Sequence, residues 1–265
     1  MSSRSKGARK QYPEPRLDPY IPQDNDTIIL VLGQIGAGKS TFINSAIGFG
    51  REFASVGHDM GGSHTKDIQA FHIAELSTAG RRIVLVDTPG FNETTISDRQ
   101  TLQRVVSWLN TCCKPTTTFA GIIYVYEIVQ PRLLPGADYM HPTKFSGSPI
   151  AQHIVLATVK WTELPKDRFA VGEHREREMK TWLGNMPDNE SRVIRFLDNS
   201  DSAQSMVALL CRRGTTVAFV MGELIKLFGV LPSTAKPADS GKGRKDTASA
   251  SLEFVFQRLL DPAFE

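Results

Sequence analysis

The chain has 265 residues, enough for one domain with a large core or two small ones at roughly 150 residues apiece. Apolar side chains make up 40% of it and glycines number 21, a globular composition that excludes a wholly disordered or fibrous chain. Lys and Arg number 31 against 28 Asp and Glu, a net charge of +3. That is too small a basic excess for a polyanion binder, so nucleic acid is not an expected partner.

Cys112, Cys113 and Cys211 lack metal-ligand spacing and read as reduced thiols of a cytoplasmic protein. The first residues have no apolar run and read as no secretory signal, and Ser2 after Met1 excludes myristoylation. The most apolar stretch, 217–231, carries Glu223 and Lys226 and falls short of the ~20 residues that span a bilayer. No transmembrane segment is expected.

In chain order, residues 1–26 read as a disordered lead rich in Pro and charge. Residues 27–32 (TIILVL) are a continuous β-branched and aliphatic run, the pattern of a strand buried on both faces. A glycine-rich turn and a helix over 41–47 follow. Alternation over 68–76 predicts a half-buried edge strand, and 82–87 (RIVLVD) a buried one. Leu102, Val105, Val106 and Leu109 recur at helical spacing within 97–113. Residues 119–128 and 153–159 are two more buried strands. An exposed helix is expected over 173–183, a last strand over 192–197 and one long closing helix over 202–227. Strands alternating with helices predict a mostly parallel α/β sheet. The Pro/Gly-rich stretch 129–150 reads as an insertion on the ligand side of that sheet. The expected domains are thus a lead over 1–26, a core over 27–231, a flexible linker over 232–250 and a short amphipathic segment over 251–265.

Gly33-Gln34-Ile35-Gly36-Ala37-Gly38-Lys39-Ser40 fits GxxxxGK[ST], between a buried strand and a helix, which is the context the motif requires. Glycines let the backbone turn tightly, so that amides from Gln34 to Thr41 can point at an anion. The start of the helix adds its positive end. Lys39 supplies a point charge for the β/γ-phosphate oxygens and Ser40 a hydroxyl for Mg²⁺. Asp87 closes the next well-formed buried strand in Asp87-Thr88-Pro89-Gly90. It is the second expected Mg²⁺ ligand, and the Gly90 amide the expected reader of the γ-phosphate. An acid at that strand end would also serve an ATPase, but the Asp-x-x-Gly spacing favours a GTPase. Thr65, in the loop GHDMGGSHT over 57–65, is the expected switch residue that closes on the metal, with Ser63 as the alternative.

With GQIGAGKST, Thr65 and DTPGF, the chain resembles the phosphate-loop GTPases of the septin-like branch. That branch includes the immunity-associated (AIG-type) and chloroplast-import GTPases, and the predicted G-domain proteins abundant in fungi are closer still. The resemblance rests on VLGQIGAGKSTFIN, DTPGFNET, FAGIIYVYEI and HIVLATVKW and covers about 27–227. It implies a three-layer P-loop NTPase G domain, a mostly parallel central sheet flanked by helices. It also implies binding of GTP and GDP with Mg²⁺, and slow GTP hydrolysis in a switch or assembly module that can pair as a nucleotide-dependent homodimer. Peripheral membrane contact through 251–265 stays open.

The chain departs from the pattern twice. Where many relatives have Asn-Lys-x-Asp to grip guanine, it has Val159-Lys160-Trp161-Thr162. Lys160 can lay its stem along the base and Trp161 can stack on it or fill the core, while Glu163 can supply the carboxylate. Ser202, in Asn-Ser-Asp-Ser-Ala, resembles the loop that supports guanine. The second departure is Phe91, which follows Gly90 where other enzymes hold a water-orienting Gln. Phe91 favours slow turnover, or a nucleotide-binding interaction protein with none; an ATP-using phosphate-loop enzyme is the third reading.

Overall fold

Every residue of β1 (Asp26–Gly33) is buried, and its side chains alternate between two cores, as a strand with both faces covered requires. Ile28, Leu30 and Leu32 enter one, Ile29 and Val31 the other. The computed structural model describes residues 20–48, 67–78, 80–129, 140–182 and 192–233. Among them β1 is flanked by β3 (Arg81–Asp87) and β4 (Thr118–Glu127), both parallel to it. β5 (Ile154–Val159) and β6 (Val193–Arg195) extend the sheet beyond β4, again in parallel. β2 (Gln69–Thr78) is the antiparallel edge, so the order is β2-β3-β1-β4-β5-β6. This is the expected mostly parallel sheet between helical layers.

One layer contains α1 (Lys39–Ile47) and α4 (Ser200–Leu210), whose Phe42, Ile43, Met206 and Val207 join the Ile29 core. The other contains α2 (Asp98–Cys112) and α5 (Val217–Phe228). Phe42 and Phe196 tilt against each other, 5.2 Å apart, in the Ile29 core. α3 (Phe169–Met179) flanks the far end of the sheet and tucks Gly172 against Leu164, Trp161 and Ile128.

Five expectations change. Packed structure begins at Tyr20, whose ring lies 5.6 Å from Trp108 and whose hydroxyl donates to Asp26; Asp26 also pairs with Arg82 at 2.7 Å. The end of the expected lead is therefore a strap at the amino end of the sheet, while residues 1–19 lie outside the described residues. The long closing helix over 202–227 is two helices. Between them β7 (Thr215–Thr216) pairs antiparallel with Thr118 and Phe119, and α5 restarts with the Thr216 hydroxyl accepting from the Phe219 amide.

The expected ligand-side insertion over 129–150 is, in its described part, a core segment. Two short 3₁₀ turns, Pro142–Phe145 and Pro149–His153, stand where a crossover helix normally joins parallel strands. Met140, Phe145 and Ile150 are buried in the α2/α5 core, and Phe145 meets Phe228 edge-on at 5.5 Å. Residues 130–139 lie outside the described residues. The helix expected over 173–183 runs instead from Phe169 to Met179, and the last strand is only Val193–Arg195. Of the linker, only 232–233 are described, with the Ser233 amide donating to the Ser107 hydroxyl at 2.8 Å; the segment 251–265 lies outside.

Candidate functional site

The carboxyl ends of β1 and β3 lie side by side, and the loops that leave them are bridged at Gln34 and Phe91. Residues 33–38 turn sharply, with Gly36 at φ 72° and Gly38 at φ 93°, left-handed values that a β-carbon resists. α1 then begins at Lys39, with the Phe42 amide donating to the Gly38 carbonyl at 2.9 Å. The amides at the start of α1 are thereby left unbonded within the helix and aimed out of its end. Thr41 sits half-buried in that first turn, Ala37 is buried beneath it, and Ile35 and Gly36 lie outermost.

Lys39 is the buried cation of the site. Its Nζ donates to the carbonyls of Gln34 at 3.0 Å and Gly33 at 3.4 Å. Burial pushes its pKa down to about 8, against the opposing pull of the Asp87 and Glu93 carboxylates. A desolvated ammonium bonded only to carbonyls and facing inward is a poor arrangement for an isolated protein and a good one for a bound anion.

The Ser40 hydroxyl donates to Asp87 Oδ2 at 2.9 Å, so the two expected metal ligands meet although 47 positions separate them. Both are hard oxygen donors. Two are too few to enclose an ion, which fits Mg²⁺, a cation that keeps several waters and takes the rest of its shell from phosphate. Among the described residues no group of three or more His, Cys, Asp or Glu side chains is placed to hold a metal ion. Thr65, the expected third ligand, lies outside them with the rest of 57–65.

The turn after Asp87 is tied down. Thr88 Oγ1 donates to the Val31 carbonyl at 2.7 Å. Phe91 exchanges backbone hydrogen bonds with the phosphate loop, its amide to Gly33 O at 3.0 Å and its carbonyl from Ile35 N at 2.9 Å. A β-carbon on Gly90 would lie 2.5 Å from Ile35 Cα, so only glycine permits this approach. The Phe91 ring is fully buried and stacks on Tyr124, 6.3 Å between centroids.

The remaining expected residues sit on loops over β5 and β6, two and three strands from β1. Lys160 adopts φ 62° and its Nζ is held by Glu127 Oε1 at 2.5 Å. Glu127 escaped the sequence reading, although an acid closing a buried strand is the same signal that singled out Asp87. Trp161 requires a correction. Its ring is not an open platform for a base but a core residue, 8% exposed. Nε1 donates to Thr158 Oγ1 at 3.0 Å, and the Arg195 guanidinium covers one face at 4.0 Å. Arg195 is in turn clamped by both oxygens of Glu176, at 2.7 to 3.0 Å.

Ser202 also differs from expectation. Its hydroxyl accepts from the Leu197 amide at 3.1 Å and donates to the Asn199 carbonyl at 3.0 Å, while its amide is capped by Asn199 Oδ1 at 2.9 Å. It closes the loop instead of offering its hydrogen bonds to a ligand. Glu163 is exposed on the neighbouring turn; burial, and after it the Glu163 charge, raises the pKa of Asp198.

The 50S ribosome-binding GTPase family matches residues 28–120, from β1 to the start of β4. No curated protein sequence matches the chain. Among solved structures, a dimerization-deficient mutant of Toc33 from Arabidopsis thaliana is similar at 15% identity with a TM-score of 0.52. Toc33 with Mg²⁺ and GMPPNP is similar at 16% identity, and Toc33 with GDP and Mg²⁺ at 15%, each with a TM-score of 0.50. In all three the match covers 71% of this chain and 86% of the other. Phosphate loop, strand order and these likenesses together give the chain the fold of a P-loop GTPase G domain.

Proposed function

We propose that this chain binds GTP and GDP with Mg²⁺ and hydrolyses GTP slowly, as a switch or assembly module of the septin-like branch. The observation that carries the reading is the convergence of Lys39, Ser40 and Asp87 at the mouth of the 33–40 loop. Lys39 would charge-pair with the β/γ oxygens, the loop amides would hold the phosphates, and Ser40, Asp87 and the expected Thr65 would hold the metal. When bound, Mg²⁺ neutralises charge on the phosphates. Water would attack the γ-phosphate in line, with Lys39 and the loop amides stabilising the charge that develops. The Toc33 structures that contain Mg²⁺ with GMPPNP or GDP support the choice of ligand.

Guanine preference would come from Glu163 and the backbone of the 197–202 loop, with the Lys160 stem under the base, since Trp161 is committed to the core. Phe91 favours slow turnover: it is buried and pinned at both its amide and its carbonyl, and carries no group to orient water. That same observation favours a second reading, nucleotide binding without turnover. Help from a second copy across the nucleotide face would separate the two, and the existence of a dimerization-deficient Toc33 mutant supports testing it. No helix among the described residues is long and apolar enough to cross a membrane.

Release of radiolabelled γ-phosphate from GTP and from ATP, over a wide range of protein concentration and with Lys39→Ala as control, tests the proposal. Slow GTP-selective release that rises with concentration is expected. Nucleotide binding with no release at any concentration would establish the second reading, and equal use of ATP would overturn the guanine assignment.

A further inference from the structure

We infer that Asp98 is a positioning residue that holds residues 90–92 ready against the phosphate loop, so that a terminal phosphate meets the Gly90 amide already in place. The inference rests on the nucleotide reading above and adds to it how triphosphate is told from diphosphate.

Asp98 is the first residue of α2, where acids commonly serve the helix terminus. Here the terminus is otherwise provided for. Ser97 and Gln100 form a reciprocal capping box, the Ser97 hydroxyl accepting from the Gln100 amide and the Gln100 side chain accepting from the Ser97 amide. The Asp98 carboxylate is turned to other work. Oδ1 accepts from the Asn92 amide at 2.7 Å, and Oδ2 accepts from the Met140 amide. One carboxylate thus joins the segment after Gly90 to the crossover between β4 and β5.

The link closes into a ring. The carbonyl of Met140 accepts from the Tyr124 hydroxyl, Tyr124 stacks on Phe91, and Phe91 is bonded to Gly33 and Ile35. Asn92, between Phe91 and Asp98, adopts φ 60°, a left-handed conformation that a residue other than glycine holds more firmly with outside support. The Asp98 bond supplies it. Phe91 on the loop side and Asp98 on the helix side therefore fix both ends of the turn, and Gly90 is pressed against Ile35 between them.

A binding group held in place before its ligand arrives gives affinity without a further ordering cost. On the nucleotide reading it is the γ-phosphate that the Gly90 amide would meet, so loosening this turn should weaken triphosphate binding and spare diphosphate. Asp98 itself touches neither phosphate nor metal, and acts through the backbone it holds.

The test uses the full chain, titrated by calorimetry with GDP and with a non-hydrolysable GTP analogue in the presence of Mg²⁺. Asp98→Ala should weaken the analogue about five- to tenfold, from the loss of charge-assisted restraints, and change GDP by no more than about twofold. Asp98→Asn keeps one acceptor and should fall between; if Asp98→Ala does not fold, it carries the comparison. Faster hydrogen exchange at the Asn92 and Met140 amides should accompany the change. Arg99→Ala, which breaks only the neighbouring bond to the Gly229 carbonyl, should leave the ratio alone. A merely structural role would weaken both nucleotides alike, and an unchanged ratio in the Asp98 variants would overturn the proposal. Failure of the wild-type chain to bind either nucleotide would overturn the nucleotide reading, and this inference with it.

Discussion

Replacing Lys39 by Met should make the ligand-free protein more stable while abolishing tight nucleotide binding. The side chain is 7% exposed and its pKa drops from 10.5 to about 8 on burial. At about 1.4 kcal/mol for each tenfold change in a proton equilibrium, holding that ammonium charged costs the fold about 3 kcal/mol at pH 7. Met keeps the length and removes the charge, and the carbonyls that Nζ leaves retain other donors, Phe91 N on Gly33 O and Ala37 N on Gln34 O. The variant should therefore gain roughly 1–3 kcal/mol, a rise of several degrees in Tm for a domain of this size.

The pH dependence has a definite sign. Between the folded pKa near 8 and the unfolded value of 10.5, the unfolded wild-type chain binds more protons than the folded one, so wild-type stability rises with pH through that window. The advantage of Met should shrink by about 2 kcal/mol between pH 7 and pH 9.5. Urea unfolding of metal-free, nucleotide-free protein at the two pH values measures it. A less stable Met variant at pH 7, or an advantage that does not change with pH, would refute the reasoning. Nucleotide affinity in the same variant should fall at least tenfold, since a charge-assisted contact contributes on the order of 1.5–3 kcal/mol.

Two further substitutions probe the site from its other sides. Gly90→Ala would place a methyl 2.5 Å from Ile35 Cα, forcing the two loops apart. Its Tm should drop and calorimetry should show weakened binding of every nucleotide, whereas normal binding would mean that the turn yields cheaply. Trp161→Leu should cost about 2–4 kcal/mol in urea unfolding through the lost packing and the lost Arg195 contact, with the GTP-over-ATP ratio unchanged; a collapse of that ratio in a folded variant would restore Trp161 to the base site.

How much was legible follows from how far each signal travels along the chain. β1, β3, β4 and β5 are buried on both faces and read as unbroken aliphatic runs, and the phosphate loop is contiguous, so these needed no tertiary knowledge. The role of Trp161 was undecidable locally because the residue that settles it, Arg195, lies 34 positions away on β6. Asp98 was invisible because it recognises backbone amides, which have no sequence signature. The break in the closing helix did carry a signal: Gly214, where an added β-carbon would come 3.1 Å from Thr118 Cγ2, followed by two β-branched threonines. The apolar residues on either side overwhelmed it. The crossover was masked likewise by its Pro and Gly content, though Pro142 and Pro149 each stand at the first position of a turn, where proline is favoured.

The central position of β1 bears on how the protein must be made. Its partners are Arg81–Asp87 on one side and Thr118–Glu127 on the other, so its second edge stays unpaired until Glu127 has emerged, roughly 90 residues after Gly33. At synthesis rates of about 5–20 residues per second, a nascent chain exposes that edge for some 5–20 s. During that interval Ile28-Ile29-Leu30-Val31-Leu32 is an apolar, charge-free strand with a bare row of amides and carbonyls, the kind of segment that captures other chains. The strand that anchors the finished sheet is therefore one that a chaperone would have reason to cover while the ribosome is still at work.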